Sequence, residues 1–320
     1  MFNTPLSIGS FQLKHRLIQG PLAGFSCAPF RQLFSQFTPP AYCVSEMLSA
    51  YDVVHKHPLN SRYLYRSPDE KYLCYQISGT DPTIMADAAI KLESHGADLI
   101  DINCGCPKTK IRKKGAGSAL LEDSDRLIAI IQSIRTTIQC PLTVKIRLQG
   151  NSNDIELARK IADVGVDALI VHGRRWNEDY DRPNDLQQIA HIKRAIDIPV
   201  IANGDISNAS TLNNALEKTG CDAFMISRAG TGKPWLFQEL LSEQSFTIQN
   251  DELISIFMMH LEGLATLENE HKAVLQSKSL VRYYFRHLVD PIFFQSFYTL
   301  SSLKAIEVAF LSAPAKKDGT

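Results

Sequence analysis

Leu142-Thr-Val-Lys-Ile146, Ala168-Leu-Ile-Val-His172, Pro199-Val-Ile-Ala202 and Ala223-Phe-Met-Ile226 decide the fold. Each is a short apolar run ending at a polar or small residue, with a helix-length amphipathic stretch before the next. Runs this short are poor helices, and their apolar, β-branched character suits parallel strands buried on both faces. Working outward towards the N-terminus, runs of the same kind recur at 17–20, 42–45, 73–77 and 99–103. The intervening stretches carry helix signals. Asp81-Pro82 offers an N-cap followed by proline at the first helical position. After Asp123-Ser124, the residues Leu127, Ile130, Ile131 and Ile134 fall at helical spacing. Eight strand–helix units in about 240 residues match an α/β protein of the (β/α)8 TIM-barrel class. A doubly wound open sheet is the competing architecture.

Beyond Trp235 the pattern changes. Residues 251–268, 272–288 and 301–311 read as helices with no strand between them, which predicts a small all-helical C-terminal domain. The expected division is a catalytic barrel over 1–243 and a helical domain over 244–320, joined through the polar stretch 242–250. Residues 315–320 are expected to fray.

Composition narrows the class. Of 320 residues, 44% are hydrophobic and 21% charged, enough apolar material for a buried core and not a disordered composition. Lys plus Arg and Asp plus Glu both total 34, so any nucleic-acid contact must come from a local basic patch. Seven scattered cysteines without a CxxC pair predict free thiols, no disulfide framework and no metal site. No apolar leader and no run near the roughly 18 residues of a membrane helix is present, so a cytoplasmic protein off the membrane is expected.

In a (β/α)8 barrel the strand C-terminal ends converge on the active site. Here those ends carry Gln76, Asn103 with Cys104 and Cys106, Lys145 with Arg147, His172 with Arg174, Asn203 with Asp205, and Arg228. The last two strand ends, Ile201-Ala-Asn-Gly-Asp205 and Met225-Ile-Ser-Arg-Ala-Gly230, have small residues that let backbone N–H groups approach an anion. Their place in the barrel order suggests a phosphate-bearing cofactor; alternatively Gly204 and Gly230 only make tight turns. Lys145 ends an apolar strand and must meet either a ligand edge or a neighbouring carboxylate. His172 is either a hydrogen-bonded structural residue or part of the site.

Asp101-Ile-Asn-Cys-Gly-Cys-Pro107 is the most informative stretch. Cys106 lies in a Gly/Pro turn at a strand end, where a thiol that is mostly protonated near neutrality can act as a general acid. Cys43, Cys74, Cys140 and Cys221 read as small buried hydrophobes, and Cys104 is compatible with either role. The run Lys108-Thr-Lys-Ile-Arg-Lys-Lys114 follows directly, five cations in seven residues. It is either a solvated loop or, beside Cys106, a contact for substrate phosphates through residues such as Lys113 and Lys114.

Taken together these residues resemble the tRNA-dihydrouridine synthase family, and within it the bacterial B-type branch. The likeness rests on Gly20-Pro-Leu-Ala-Gly24, Gln76-Ile-Ser-Gly79, the 101–107 stretch, Gly117-Ser-Ala-Leu-Leu121, Val144-Lys-Ile-Arg147, His172-Gly-Arg174, the 199–205 stretch and Lys233-Pro-Trp235. Asn-x-Gly-Cys-Pro with Gly-Ser-Ala-Leu-Leu is its most specific part.

The resemblance implies FMN held by the backbone of Pro21, Leu22 and Ala23, with Gln76, Lys145 and His172 around the ring. Asn203, Gly204, Asp205, Ser227 and Arg228 would lie near the phosphate. It implies NADPH or NADH as reductant and a D-loop uridine of tRNA, position 17, as substrate. The base would be flipped out of its stack and contacted by Asn103. Hydride would go to C6 and a proton from Cys106 to C5. Arg174, Lys113 and Lys114 would lie on the substrate side, with the helical domain gripping the tRNA body in a monomeric enzyme. The chain departs from the family at Leu22, Ser26-Cys27, Ser227, Arg175-Trp176 and Asp181-Arg182. The last two put the exact placement of the tRNA in question. A free-pyrimidine oxidoreductase resembling dihydroorotate dehydrogenase, or a non-catalytic tRNA binder, are the rival readings.

Overall fold

A computed structural model describes residues 2–312 of the chain, so the tail expected over 315–320 lies outside the described residues. The chain divides into two compact units, Met1–Cys27 with Pro40–Ser227, and Ala28–Pro39 with Arg228–Thr320.

In the first unit a hairpin of β1 (Leu6–Ile8) and β2 (Phe11–Leu13) comes first. There follow β3 (Leu17–Gln19), β4 (Cys43–Val44), β5 (Leu48–Ser49), β6 (Leu73–Ser78), β7 (Leu99–Cys104), β8 (Leu142–Leu148), β9 (Ala168–Arg175), β10 (Val200–Asn203) and β11 (Ala223–Ile226). All pairings from β3 onward are parallel, and β4–β6 together with β11–β3 closes the ring. β5 takes over from β4 alongside the end of β6. The expected (β/α)8 barrel is what forms, and each of the eight apolar runs coincides with a barrel strand.

The chain's first helix, α1 (Ala28–Gln32), belongs to the second unit. The barrel is accompanied by α2 (Ala50–His55), α3 (Pro82–Ser94), α4 (Thr109–Arg112), α5 (Ser124–Arg135), α6 (Asn153–Asp163), α7 (Leu186–Ala195) and α8 (Ala209–Thr219). Local chemistry starts two of them as the sequence predicts. Asp81 accepts a hydrogen bond from the Ile84 amide at 3.0 Å, and Asp123 accepts one from Arg126 at 3.2 Å. The stripe Leu127, Ile130, Ile131 and Ile134 is buried, each side chain contributing about 1.5–3 kcal/mol by leaving water.

Inside the barrel, Ile8 and Leu13 of the hairpin share one apolar cluster with Ile18, Val44, Cys74, Leu99, Ala168, Ile170, Ile201, Ala223 and Met225. Side chains alternate along a strand. Two residues on from Cys74, Leu99, Ile170 and Ile201 stand Gln76, Asp101, His172 and Asn203, and two beyond Asp101 stands Asn103. The inward row is therefore apolar at the strand starts and polar at the strand ends, which is how the fold assembles a polar mouth over an apolar floor.

The second unit contains, besides α1, the helices α9 (Leu236–Ser242), α10 (Asn250–Leu267), α11 (Glu270–Phe285), α12 (Pro291–Phe297) and α13 (Leu303–Leu311), and no strand among the described residues. Phe257 centres its core, with ring centroids 5.0 Å from Tyr284, 5.2 Å from Phe285 and 5.6 Å from Phe310. Arg282 is engaged within this unit, donating to the Tyr298 hydroxyl at 2.7 Å. Among the described residues, no helix is long and apolar enough to cross a membrane.

Candidate active site

Register between neighbouring strands brings the strand-end residues together. Gln76 is paired with Asp101, Asn103 with Lys145, Arg147 with His172, and His172 with Asn203. A chain of side-chain hydrogen bonds runs through the first of these. Thr143 donates to Asp101 Oδ1 at 2.6 Å, Gln76 Nε2 donates to Asp101 Oδ2 at 2.7 Å, and Asn103 Nδ2 donates to Gln76 Oε1 at 2.8 Å. Asn103 Oδ1 in turn accepts from the Cys106 amide at 2.9 Å and the Gly105 amide at 3.2 Å. Because Asp101 only accepts when ionised, it fixes which end of the Gln76 amide carries the donors, and Gln76 does the same for Asn103. Each amide keeps one N–H for a ligand. Asp101 is 1% exposed. Burial pushes its carboxyl up to about 6, opposed by the bonds from Thr143 and Gln76 and by the charge of Lys145.

Lys145 is 8% exposed and makes no hydrogen bond or ion pair among the described residues. Its ammonium is pulled down to about 8, first by burial and then by the charge of Arg147, while Asp101 and Cys106 act the other way. A buried cation without a partner is costly unless something supplies an acceptor. A ring edge carrying carbonyl oxygen and developing negative charge, as an isoalloxazine does, fits that requirement. His172 and Asn203 are also buried, and Asn203 Nδ2 donates to the Met225 carbonyl at 2.8 Å.

The thiols separate by environment. Burial pushes Cys74 and Cys104 well above the ordinary thiol range, Cys140 to about 12 and Cys221 to about 11. Cys140 is half-buried rather than fully enclosed, unlike Cys43, Cys74 and Cys221. Cys106 is partly open, in a turn held from both sides. Asn103 takes its amide, while the Ser118 amide (3.1 Å) and Ser118 hydroxyl (3.0 Å) donate to its carbonyl. The approach depends on Gly117, whose φ is +63° and where a Cβ would stand 2.8 Å from the Cys106 carbonyl oxygen.

At the ends of β10 and β11 the backbone is shaped for close approach. Gly204 has φ +119°, and a Cβ there would meet Asn184 Oδ1 at 2.5 Å. Asp205 holds φ +55°, a left-handed conformation uncommon for a residue with a side chain. The amides of Gly204 and Ser227 make no hydrogen bond among the described residues, which leaves two donors for an anion. Gly204→Ala is expected to cost about 1–3 kcal/mol, since the new Cβ is strained at this φ and displaces Asn184. A lowered thermal midpoint checks it. Earlier in the barrel the half-buried turn at Pro21, Leu22 and Ala23 is closed by Ser26, whose hydroxyl accepts from the Leu22 amide at 3.0 Å. Arg228 opens a 3-10 turn, Arg228–Gly230, within the second unit.

Arg174 is 2% exposed and committed to the loop after β9. It donates to the carbonyls of Arg182 (2.6 Å) and Tyr180 (2.9 Å) and pairs with Asp205 at 2.8 Å. Geometrically it shapes the loop and Asp205. In the basic run, Arg112 is internal too, bonded to Glu122 at 2.8 Å and Ser118 at 3.0 Å. Lys108, Lys110, Lys113 and Lys114 are exposed and have no ion pair among the described residues. Asp101, Ser118 and Asn184 are site-building residues that sequence reasoning did not single out. Asp101 alone had a usable signal, an acid two positions before Asn103 in an apolar strand.

Comparison with known proteins places this geometry. The family model described as dihydrouridine synthase matches residues 18–296. The chain is 36% identical over 289 residues to tRNA-dihydrouridine synthase B of Vibrio vulnificus, covering 88% of this chain and 89% of that one. It is 34% identical over 319 residues to the Salmonella typhimurium protein of the same name, covering 95% and 99%. Among solved structures, an old yellow enzyme homologue from Zymomonas mobilis superposes with a TM-score of 0.52 at 14% identity, covering 77% of this chain and 94% of that one. That likeness speaks to the barrel fold alone. The family match over most of the length, and relatives above 30% identity along nearly the whole chain, show that this chain belongs to the dihydrouridine synthase family.

Proposed function

We propose that the protein reduces the C5=C6 bond of a D-loop uridine in tRNA, as a flavin-dependent tRNA-dihydrouridine synthase using NADPH or NADH. The observation that carries the reading is the meeting, at one barrel mouth, of the Asn103-anchored Cys106 turn with the unpartnered, buried Lys145. FMN, when bound, supplies the hydride that goes to uracil C6.

The chain's own residues do the rest. Lys145 neutralises negative charge at the ring edge, and Gln76 presents its remaining N–H beside it, oriented by Asp101. The unbonded amides of Gly204 and Ser227 suit the phosphate, with Asn203 and Asp205 beside Gly204 in the chain and the turn of Pro21 to Ala23 facing the ring. His172 completes the wall. Asn103 offers its remaining N–H to a uracil carbonyl. Cys106 Sγ gives its proton to C5, and the thiolate is reprotonated from solvent. Proton and hydride together account for the two added hydrogens.

The four exposed lysines of the 108–114 run suit phosphate contacts and favour tRNA over a free pyrimidine as substrate. Arg174 acts on the substrate side by shaping the loop after β9. Grip on the tRNA body falls to the helical region over 244–320, in a monomeric cytoplasmic enzyme acting at position 17. Mass spectrometry of tRNA from a strain lacking dihydrouridine synthases, with and without this protein, tests the reading. A gain of two hydrogens at one D-loop uridine supports it and identifies the position, whereas yellow, folded protein without that gain overturns it. The double change Lys113→Ala, Lys114→Ala is expected to weaken tRNA binding and make its log–log salt dependence shallower by about one to two. An unchanged slope would return this run to a merely solvated loop.

A further inference from the structure

A second recess lies beside the Cys106 turn. It has a volume of about 220 Å³ and is lined by Ser118, Glu122, Gln149, Asn151, Trp176 and Asn177 among others. Sites for whole small molecules span about 300–1,000 Å³, so this one suits a single ring system. Trp176 supplies its aromatic wall. The Arg112 guanidinium lies 3.7 Å from the Trp176 ring centroid, and the tryptophan is still 40% exposed. Arg112 is held in turn by Glu122 and Ser118, so the stacked pair is braced. The polar lining is amide-rich: the side chains of Gln149 and Asn177 make no hydrogen bond among the described residues, whereas Asn151 is used by the Asn153 amide.

A rigid aromatic face with free amides at its rim is the chemistry that recognises a nucleobase, by stacking and by hydrogen bonding to its edge. Ser118 sets the distance scale, because the hydroxyl that binds Arg112 also donates to the Cys106 carbonyl. A base in the recess therefore lies close to one delivered to Cys106.

We propose that this recess is a subsite for an unpaired nucleobase flanking the target uridine, stacked on Trp176 and read by Gln149 and Asn177. The inference rests on the tRNA reading above and assigns a specificity element to it.

The test uses flavin-loaded enzyme and full-length unmodified tRNA transcripts, one of them wild type and others abasic at each nucleotide flanking the target. The chain has two tryptophans, and Trp235 is buried, so emission lost in Trp176→Phe reports on Trp176. Wild-type tRNA is expected to quench that emission. One flanking abasic transcript should lose the quench and bind about ten-fold more weakly. Trp176→Ala is expected to bind wild-type tRNA about ten-fold more weakly, to lose discrimination between the two transcripts, and to be largely rescued by Trp176→Phe. Equal affinity of Trp176→Ala and wild type, or quenching indifferent to every flanking abasic nucleotide, overturns the subsite. Product formation by the wild-type enzyme is scored separately by mass spectrometry. Failure there, with quenching intact, overturns the activity and not the subsite; absence of tRNA binding overturns both.

Discussion

Cys106→Ala is expected to keep its flavin, its fold and its affinity for tRNA while losing dihydrouridine formation by about 10²–10⁴-fold, the range a positioned general acid contributes. The fold should survive because the turn is held through backbone atoms. Asn103 accepts the residue-106 amide and Ser118 donates to its carbonyl, and neither bond involves the thiol. The half-open position of Cys106 also means that removing sulfur leaves no large sealed cavity. The comparison that sharpens the result is Cys104→Ala. That thiol is fully buried and held protonated well above the usual range by burial, so its loss should lower stability and leave turnover per folded molecule nearly intact. Wild-type turnover from Cys106→Ala would remove the thiol as proton donor and leave Lys145 and solvent as the candidates.

Lys145→Met should separate stability from function. The folded-state pKa of Lys145, about 8, lies below its unfolded value. A depressed group contributes stability above the unfolded pKa and loses it as pH falls through the folded value. At pH 7 the free protein therefore bears the cost of a buried, charged lysine that makes no hydrogen bond or ion pair among the described residues and is offset only in part by the charge of Asp101. Replacement by an apolar side chain of similar length is expected to raise the thermal midpoint of flavin-free protein by about 2–4 °C while lowering turnover about 10²-fold.

If Lys145 serves at the ring edge as proposed, activity is expected to fall on the alkaline side as its ammonium deprotonates, earlier than an ordinary lysine would because burial lowers its pKa. Asp101 pulls the other way, since its charge favours the ammonium. Asp101→Asn should move the alkaline limb to lower pH and also disturb the orientation of Gln76. A limb that stays in place in Asp101→Asn, or a Lys145→Met enzyme of normal turnover, would detach Lys145 from the chemistry.

Part of this architecture is legible in the amino-acid sequence. The barrel was legible because strands buried on both faces must be apolar along their length, and eight such runs between turn and cap signals leave few topologies. The hairpin of β1 and β2 was not, because three-residue strands carry too little pattern to stand out from a loop. The partly open turn at Cys106 was legible from its Gly and Pro neighbours, and the placing of Gln76, Asn103, Lys145 and His172 at strand ends from the apolar runs that precede them. Arg174 was legible as a strand-end cation, but its commitment to the carbonyls of Tyr180 and Arg182 was not. That contact depends on how the loop folds back, and no local pattern records it.

What the sequence determined by itself is the row of strands, the polar character of their ends and the turn that presents a thiol there, since each follows from residue type and short-range spacing. Tertiary structure alone decided that Asp101 orients Gln76, that Gln76 orients Asn103, that Asn184 underlies Gly204, and that Trp176 meets Arg112. These residues lie 25, 27, 20 and 64 positions apart, and their contacts arise from strand register and loop closure. Both are set by the burial of the whole barrel, which no local stretch encodes.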